Sequence, residues 1–287
     1  MYEAFYGLRE KPFYVTADPA FLYPSRHHQE ALAHLTYGIR QRLGFLMITG
    51  EVGTGKTTLA KALVEKLQAP TKTALILNPS LSGTQLLRAI LTDFGAIQEN
   101  TGTFGSSTRG RLLQLIERFL LEQAEAGSTG VLIIDEAQAL STNTLEQVRL
   151  LSNVETPKTK LLQIVLVGQP ELSQRLARDP RLRALQQRIA VRYQIQPLNE
   201  EEVAAYIEHR LQVAGGTALP KFTEEALSLL AQLSQGLPRR INILCDQTLL
   251  AGFVRETRTI DTSVVEAARA AMNDEPIVQE PVANFRI

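Results

Sequence analysis

The stretch Gly50-Glu51-Val52-Gly53-Thr54-Gly55-Lys56-Thr57-Thr58 constrains this chain more than any other. It fits the spacing Gly, four residues, Gly-Lys-Ser/Thr, a phosphate-binding loop when a strand precedes it and a helix follows. Both flanks are present. Phe45 to Thr49 is a short apolar run that reads as a buried strand, and Leu59, Ala60, Leu63, Val64 and Leu67 recur at helical spacing. Successive backbone N–H groups and the start of a helix then converge on one place, which suits a phosphate. Gly50, Gly53 and Gly55 let the backbone come close to the oxygens. In such a loop Lys56 neutralises phosphate charge and Thr57 offers its hydroxyl to Mg²⁺.

A loop of this kind needs a parallel sheet around it, and the rest of the chain supplies one. Further strands are expected at 73–78, 131–136, 161–168 and 190–195, with helices ahead of the first strand and between successive strands. Strands alternating with helices imply a doubly wound, five-stranded parallel α/β sheet. At Pro197-Leu198 the character changes, and only helical periodicity follows, at 200–214, 223–235, 238–254 and 262–272. Asn199 and Thr223, each followed by acids, read as N-caps. The division expected is a strap and leading helix over 1–40, an α/β domain over 41–197, a small all-helical domain over 198–272 and a disordered tail over 273–287. Gly95 to Gly110, rich in Gly, Ser and Thr, reads as a mobile loop.

Residues 1–28 hold seven of the chain's aromatics, Tyr2, Phe5, Tyr6, Phe13, Tyr14, Phe21 and Tyr23, punctuated by Pro12, Pro19 and Pro24. Aromatics at this density must be buried. Two readings are open: the strap packs across the α/β domain, or part of it covers the base of a bound nucleotide. Lys and Arg together number 30, as do Asp and Glu, so no whole-molecule charge draws the chain to nucleic acid or an anionic membrane. The single cysteine, Cys245, excludes an internal disulfide and reads as a small core residue. No apolar run nears the ~20 residues of a membrane span, and the N-terminus does not read as a signal peptide, so the expected compartment is the cytoplasm.

Asp135 and Glu136 end the strand Val131–Ile134. In a parallel sheet the ligand site lies beyond the carboxyl ends of the strands, which puts this pair beside the phosphate loop. Asp135 can then hold Mg²⁺ through water, and Glu136 can orient and deprotonate a water for attack on a γ-phosphate. The absence of an Asn-Lys-x-Asp sequence favours ATP over GTP. Gln169 ends the fourth strand, where its amide could reach the γ-phosphate or the water; a loop glutamine without a role is the alternative. Residues 175–192 contain Arg175, Arg178, Arg181, Arg183, Arg188 and Arg192, opposed in that span by Asp179 alone. They read as a nucleic-acid contact, a solvated face, or the source of an arginine finger for a neighbouring subunit, a role Arg188 fits best. Arg239, in Gly236-Leu237-Pro238-Arg239-Arg240, opens a helix and could report a γ-phosphate from above; two surface arginines are the alternative.

Together these pieces resemble the AAA+ ATPases, the ASCE branch of the P-loop NTPases. Gly50–Thr57 matches Walker A and Leu132–Glu136 matches Walker B. Gln169 falls at the sensor 1 position, Arg188 at the arginine finger and Arg239 at sensor 2. More narrowly, the chain is similar to the general secretion pathway protein A (ExeA-type) ATPases, through Tyr2-Glu3-Ala4-Phe5-Tyr6-Gly7-Leu8-Arg9-Glu10-Lys11-Pro12-Phe13, Asp18-Pro19, Phe21-Leu22-Tyr23, His28 with Glu30-Ala31-Leu32, Gly168-Gln169-Pro170-Glu171-Leu172, and Arg239 to Asp246. The resemblance covers residues 1 to about 272. Many such proteins add a transmembrane helix and a peptidoglycan-binding domain, and neither is seen after residue 272. It implies an ATP- and Mg²⁺-dependent hydrolase that forms homo-oligomers with its finger acting in trans. It also implies work on secretion, pilus or export machinery beside an inner-membrane protein partner. The same core is similar to DNA-binding transposition regulators of the TniB and TnsC type, the second expectation. A DEAD-like helicase, suggested by Asp135-Glu136-Ala137-Gln138, needs a second strand-rich domain that residues 198–287 do not offer.

Overall fold

The computed structural model describes residues 1–67, 69–77, 79, 81–97, 108–157, 159–216 and 219–274. The expected mobile loop therefore lies outside the described residues over 98–107, and the expected tail over 275–287. In chain order the elements are α1 (Tyr2–Phe5), α2 (Arg26–Arg40), β1 (Phe45–Gly50), α3 (Lys56–Lys66), β2 (Thr71–Ile76), α4 (Gly83–Asp93), α5 (Arg109–Glu125) and β3 (Thr129–Ile134). Then come α6 (Thr142–Leu151), β4 (Leu162–Gly168), α7 (Pro170–Arg178), α8 (Arg183–Arg188), β5 (Ile189–Ile195), α9 (Glu200–Ala214), β6 (Lys221–Phe222), α10 (Glu224–Ser234), α11 (Pro238–Val254), β7 (Thr259–Ile260) and α12 (Thr262–Asp274). They form two compact units, Thr16–Pro197 and Met1–Val15 together with the chain from Leu198 onward.

In the first unit five parallel strands lie in the order β2-β3-β4-β1-β5. The strand period of two sends successive residues to opposite faces, and both faces are covered. Phe45, Met47, Leu132, Ile134, Ile164 and Leu166 join a core with α4, α5 and α6. Their neighbours Leu46, Ile48, Val131, Ile133, Val165 and Val167 meet Ala31, Leu35 and Ile39 of α2 and Leu59 and Leu63 of α3. That two-sided burial is why these strands read as unbroken apolar runs. α2 comes so close to the sheet that a Cβ at Gly38 would stand 2.1 Å from the Leu46 side chain. At the β2 edge the Leu75 N–H is taken by the Asp93 carboxylate, which leaves one fewer free donor for a stray strand. The register aligns Thr49 of β1 with Gly168 of β4, so the phosphate loop and Gln169 leave the sheet side by side.

The second unit is built on α9 to α12. Asn199 and Thr223 cap α9 and α10 as the sequence indicates, and Asn199 forms a full capping box with Glu202. The unit is not all-helical: β6 and β7 pair in parallel, Lys221 with Thr259 and Phe222 with Ile260. Strands of two residues carry no readable period, so the sequence could not reveal them.

Residues 1–15 are sewn to these helices. The Tyr2 hydroxyl donates to Asp246, and the buried Tyr6 hydroxyl donates to the Thr257 carbonyl at 3.1 Å. Arg210 donates from Nε to Pro12 O (2.6 Å) and from Nη2 to Tyr14 O (3.1 Å), and Asn242 Nδ2 adds a bond to Tyr14 O (2.8 Å). Gly216, at φ +144°, lets the chain pass so near residue 7 that a Cβ there would lie 2.3 Å from Gly7 O. The aromatic segment thus divides between the units at Val15–Thr16, and its first fifteen residues complete the core of α9–α12.

Candidate functional site

The site gathers at the carboxyl ends of β1, β3 and β4. Gly53 and Gly55 take φ values of +84° and +87°, in the left-handed region where a side chain is strained, and Gly55 is the N-cap of α3. A Cβ at Gly50 would meet Thr54 Oγ1 at 2.9 Å and Ile195 O at 3.0 Å. Lys56 opens α3 and folds back, donating from Nζ to Gly50 O and Glu51 O, both at 2.8 Å. Lys56 as a whole is only 5% exposed, and burial lowers its pKa against the pull of the Glu136, Asp135, Glu51 and Glu171 carboxylates. A buried cation in a loop of bare glycines fits a polyphosphate, whose charge would replace the lost solvation. Thr54 is closed into the loop by its own bond to Glu51 O at 2.9 Å, while Val52 stands half exposed at the rim.

Thr57 and Asp135 meet although 78 residues separate them: Thr57 Oγ1 donates to Asp135 Oδ2 at 2.5 Å. Asp135 Oδ1 accepts the Glu136 N–H at 2.9 Å. Burial raises the Asp135 pKa, the Glu136 charge adds to this, and the bonds from Thr57 and the Glu136 N–H and the charge of Lys56 oppose it. Glu136 itself sits at φ +50°, a left-handed conformation that turns its side chain out of the strand line. Its Oε2 accepts from Gln138 Nε2 at 2.5 Å and from Gln169 Nε2 at 3.3 Å. Among the described residues no group of three or more His, Cys, Asp or Glu is arranged to hold a metal. A cation in this site would therefore rest on Thr57, Asp135 and the ligand's own oxygens.

Residues 39–176 match the family model described as "AAA domain". Over 278 residues, 96% of the chain, the sequence is 46% identical to general secretion pathway protein A of Aeromonas hydrophila. This chain carries an AAA domain. It spans about half the length of that curated relative, 50% of it. Among solved structures it is similar to the ORC2 protein of Aeropyrum pernix in its ADPNP–ADP complexes, with a TM-score of 0.69 and 18% identity over 94% of this chain and 74% of that one. It is also similar to Cdc6p of Pyrobaculum aerophilum, with a TM-score of 0.68 and 18% identity over 88% and 71%. At such identities these two speak for the fold alone.

Of the residues singled out in the sequence, the AAA+ core unites Gly50 to Thr58, Asp135, Glu136 and Gln169. Arg188 lies apart from them at the end of α8, donating to Ser152 Oγ (3.0 Å) and Asn153 Oδ1 (2.7 Å) beyond α6. Arg239 lies on the exposed first turn of α11, in the other unit. The arginine-rich segment is less free than its composition suggests. Arg175 donates to the Gln138 and Leu140 carbonyls, Arg181 pairs with Asp179 and Arg192 reaches Gln186 O. Only Arg178 and Arg183 have no such partner among the described residues.

Two supports escaped the sequence reading. His28, buried, bonds through Nδ1 to Ser25 Oγ (2.6 Å) and through Nε2 to Thr54 O (3.0 Å), bracing the phosphate loop from α2. A carbonyl can only accept, so Nε2 carries the proton and Nδ1 accepts from the Ser25 hydroxyl. Gln138 is the second, tying Glu136 to the start of α7. The only sequence signal for either was its place in a quoted motif.

Proposed function

We propose that this AAA+ protein binds ATP with Mg²⁺ and hydrolyses it, and that it works as a homo-oligomer that assembles or remodels a protein complex. The observation that carries the reading is the bond between Thr57 and Asp135, with Glu136 next in the chain. It supports a site where a hydroxyl and a carboxylate share one cation while the adjacent carboxylate stays free of it to act on water. Bound ATP and Mg²⁺ supply the scissile anhydride and the counter-charge. Lys56 and the loop N–H groups hold the phosphates. Asp135 and Thr57 would hold the cation, Glu136 would orient a water and accept its proton, and Gln169 would keep the Glu136 carboxylate in place. Arg188 is assigned to a neighbour's γ-phosphate, and Arg239 to reporting a bound γ-phosphate.

Secretion, pilus or export machinery of a bacterial envelope is the favoured setting, because the one curated relative reported above is a general secretion pathway protein. Cytoplasmic residence, with attachment to the inner membrane through a protein partner, accords with the described residues, where no helix is long and apolar enough to cross a membrane. A transposition role on DNA is less favoured, since four of the six arginines over 175–192 already bond within their own chain.

The test is nucleotide turnover by purified variants. Lys56→Ala should lose ATP binding, whereas Glu136→Gln should bind ATP and fail to hydrolyse it. Near-normal hydrolysis by Glu136→Gln would sink the assignment.

A further inference from the structure

Gln138 is held at both ends of its amide. Its Nε2 donates to Glu136 Oε2 at 2.5 Å, and its Oε1 accepts the backbone N–H of Gln169 at 3.1 Å. Each atom takes the only role open to it, so the amide orientation is set by its partners. The turn that carries Gln138 is fixed from behind. Arg175 of α7 donates to the Gln138 carbonyl at 3.0 Å and to the Leu140 carbonyl at 2.6 Å. Space has been left for the side chain: a Cβ on Gly168 would lie 2.8 Å from Gln138 Oε1. The chain thus bridges the ends of β3 and β4 with one side chain whose donor end points at the carboxylate assigned as base.

We infer that Gln138 is a positioning residue that sets the rotamer of Glu136, and that Arg175 fixes the turn from which it acts. The inference rests on the reading of Glu136 as the base. A base works when a third group orients it, and a carboxylate on a strained turn has no neighbouring backbone to do so. With Oε2 pinned by the amides of Gln138 and Gln169, Oε1 is the oxygen left to take a proton from water. Gln169 alone is a weaker hold, since its bond is 3.3 Å long. The bridge also ties the base to α7, the helix that leads into the arginine-rich segment, so a shift of α7 is carried to the catalytic carboxylate.

The experiment compares Gln138→Met and Gln138→Glu with the wild-type chain. Methionine keeps the length and loses the amide. It should lower kcat about tenfold or more, a part of the roughly 10²–10⁴-fold that a well-placed base supplies. Affinity for a fluorescent ATP analogue should stay within about twofold and the melting curve should not move. Glutamate keeps the length but puts a carboxylate where the amide donor stood, so it cannot hold Glu136 Oε2 and repels it instead. Its kcat should fall at least as far as that of the methionine variant, again with affinity within about twofold. A Gln138→Met kcat within twofold of wild type overturns the inference. So does a loss of rate matched by an equal loss of nucleotide affinity, or a Gln138→Glu kcat within twofold of wild type. If the methionine variant does not fold, the kcat and affinity of the glutamate variant decide alone. Glu136→Gln in the same assay separates the two readings: hydrolysis by that variant removes the base assignment, whatever Gln138 does.

Discussion

Replacing His28 by alanine tests whether the phosphate loop is held by the fold beneath it rather than by its own sequence. The imidazole is buried and supplies the Thr54 carbonyl with a donor at 3.0 Å. Thr54 is itself 1% exposed, so water does not simply replace that donor. A buried acceptor left unpaired costs about 1–3 kcal/mol. Part of this should appear in the nucleotide-free protein as lower stability. The rest should appear in binding, because a loosened loop must be ordered again around phosphate. If the whole cost fell on binding, ATP affinity would drop about 5- to 150-fold. The Ser25 hydroxyl loses its acceptor at Nδ1 as well, though it retains its place as N-cap of α2. The assay is equilibrium titration with a fluorescent ATP analogue, paired with a thermal melt monitored by circular dichroism. His28→Gln is the informative companion, since its amide can still donate to a carbonyl and should recover part of the loss. An alanine variant that binds within twofold of wild type and melts at the same temperature would refute the bracing argument.

Three further outcomes are expected. Asp135→Asn should stabilise the nucleotide-free protein near neutral pH while removing Mg²⁺-dependent hydrolysis. The folded Asp135 pKa is raised, so the wild-type carboxylate costs stability as pH climbs from the ordinary aspartate range to that raised value, and the advantage of asparagine should fade as pH drops back through the same window; melting temperatures of both proteins across pH check this. Deleting residues 1–15 removes the buried side chains of Tyr2, Tyr6, Leu8 and Phe13 from the α9–α12 unit. At about 1.5–3 kcal/mol each this approaches the 5–15 kcal/mol by which a domain is stable, so limited proteolysis should cut that unit first. Arg188→Ala should bind ATP and lose on the order of 10³-fold in hydrolysis, and mixing it with Lys56→Ala should restore activity; no recovery at any ratio, despite verified co-assembly, would count against action in trans.

The sequence by itself determined what short-range chemistry encodes. Gly50 to Thr58 announces a loop because its glycines, lysine and threonine act on one ligand from adjacent positions. The apolar runs announce β1, β3 and β4 because strands covered on both faces need no polar alternation. Asn199 and Thr223 announce helix starts because a cap bonds to an N–H three residues on. Asp135 could be placed near the loop from topology alone, since all parallel strands open their carboxyl ends to the same side. Tertiary structure decided the rest. Which unit receives Tyr2 and Tyr6 depends on Asp246 and the Thr257 carbonyl, 244 and 251 residues further along the chain, which take their hydroxyls. His28 looks like an ordinary helix residue until Thr54 is set against it. Gln138 gains its meaning from the end of β4, and Arg188 is taken up by Ser152 and Asn153. In each case the partner is chosen by which elements the fold brings together, and a pattern that repeats every two or every 3.6 residues holds no record of that choice.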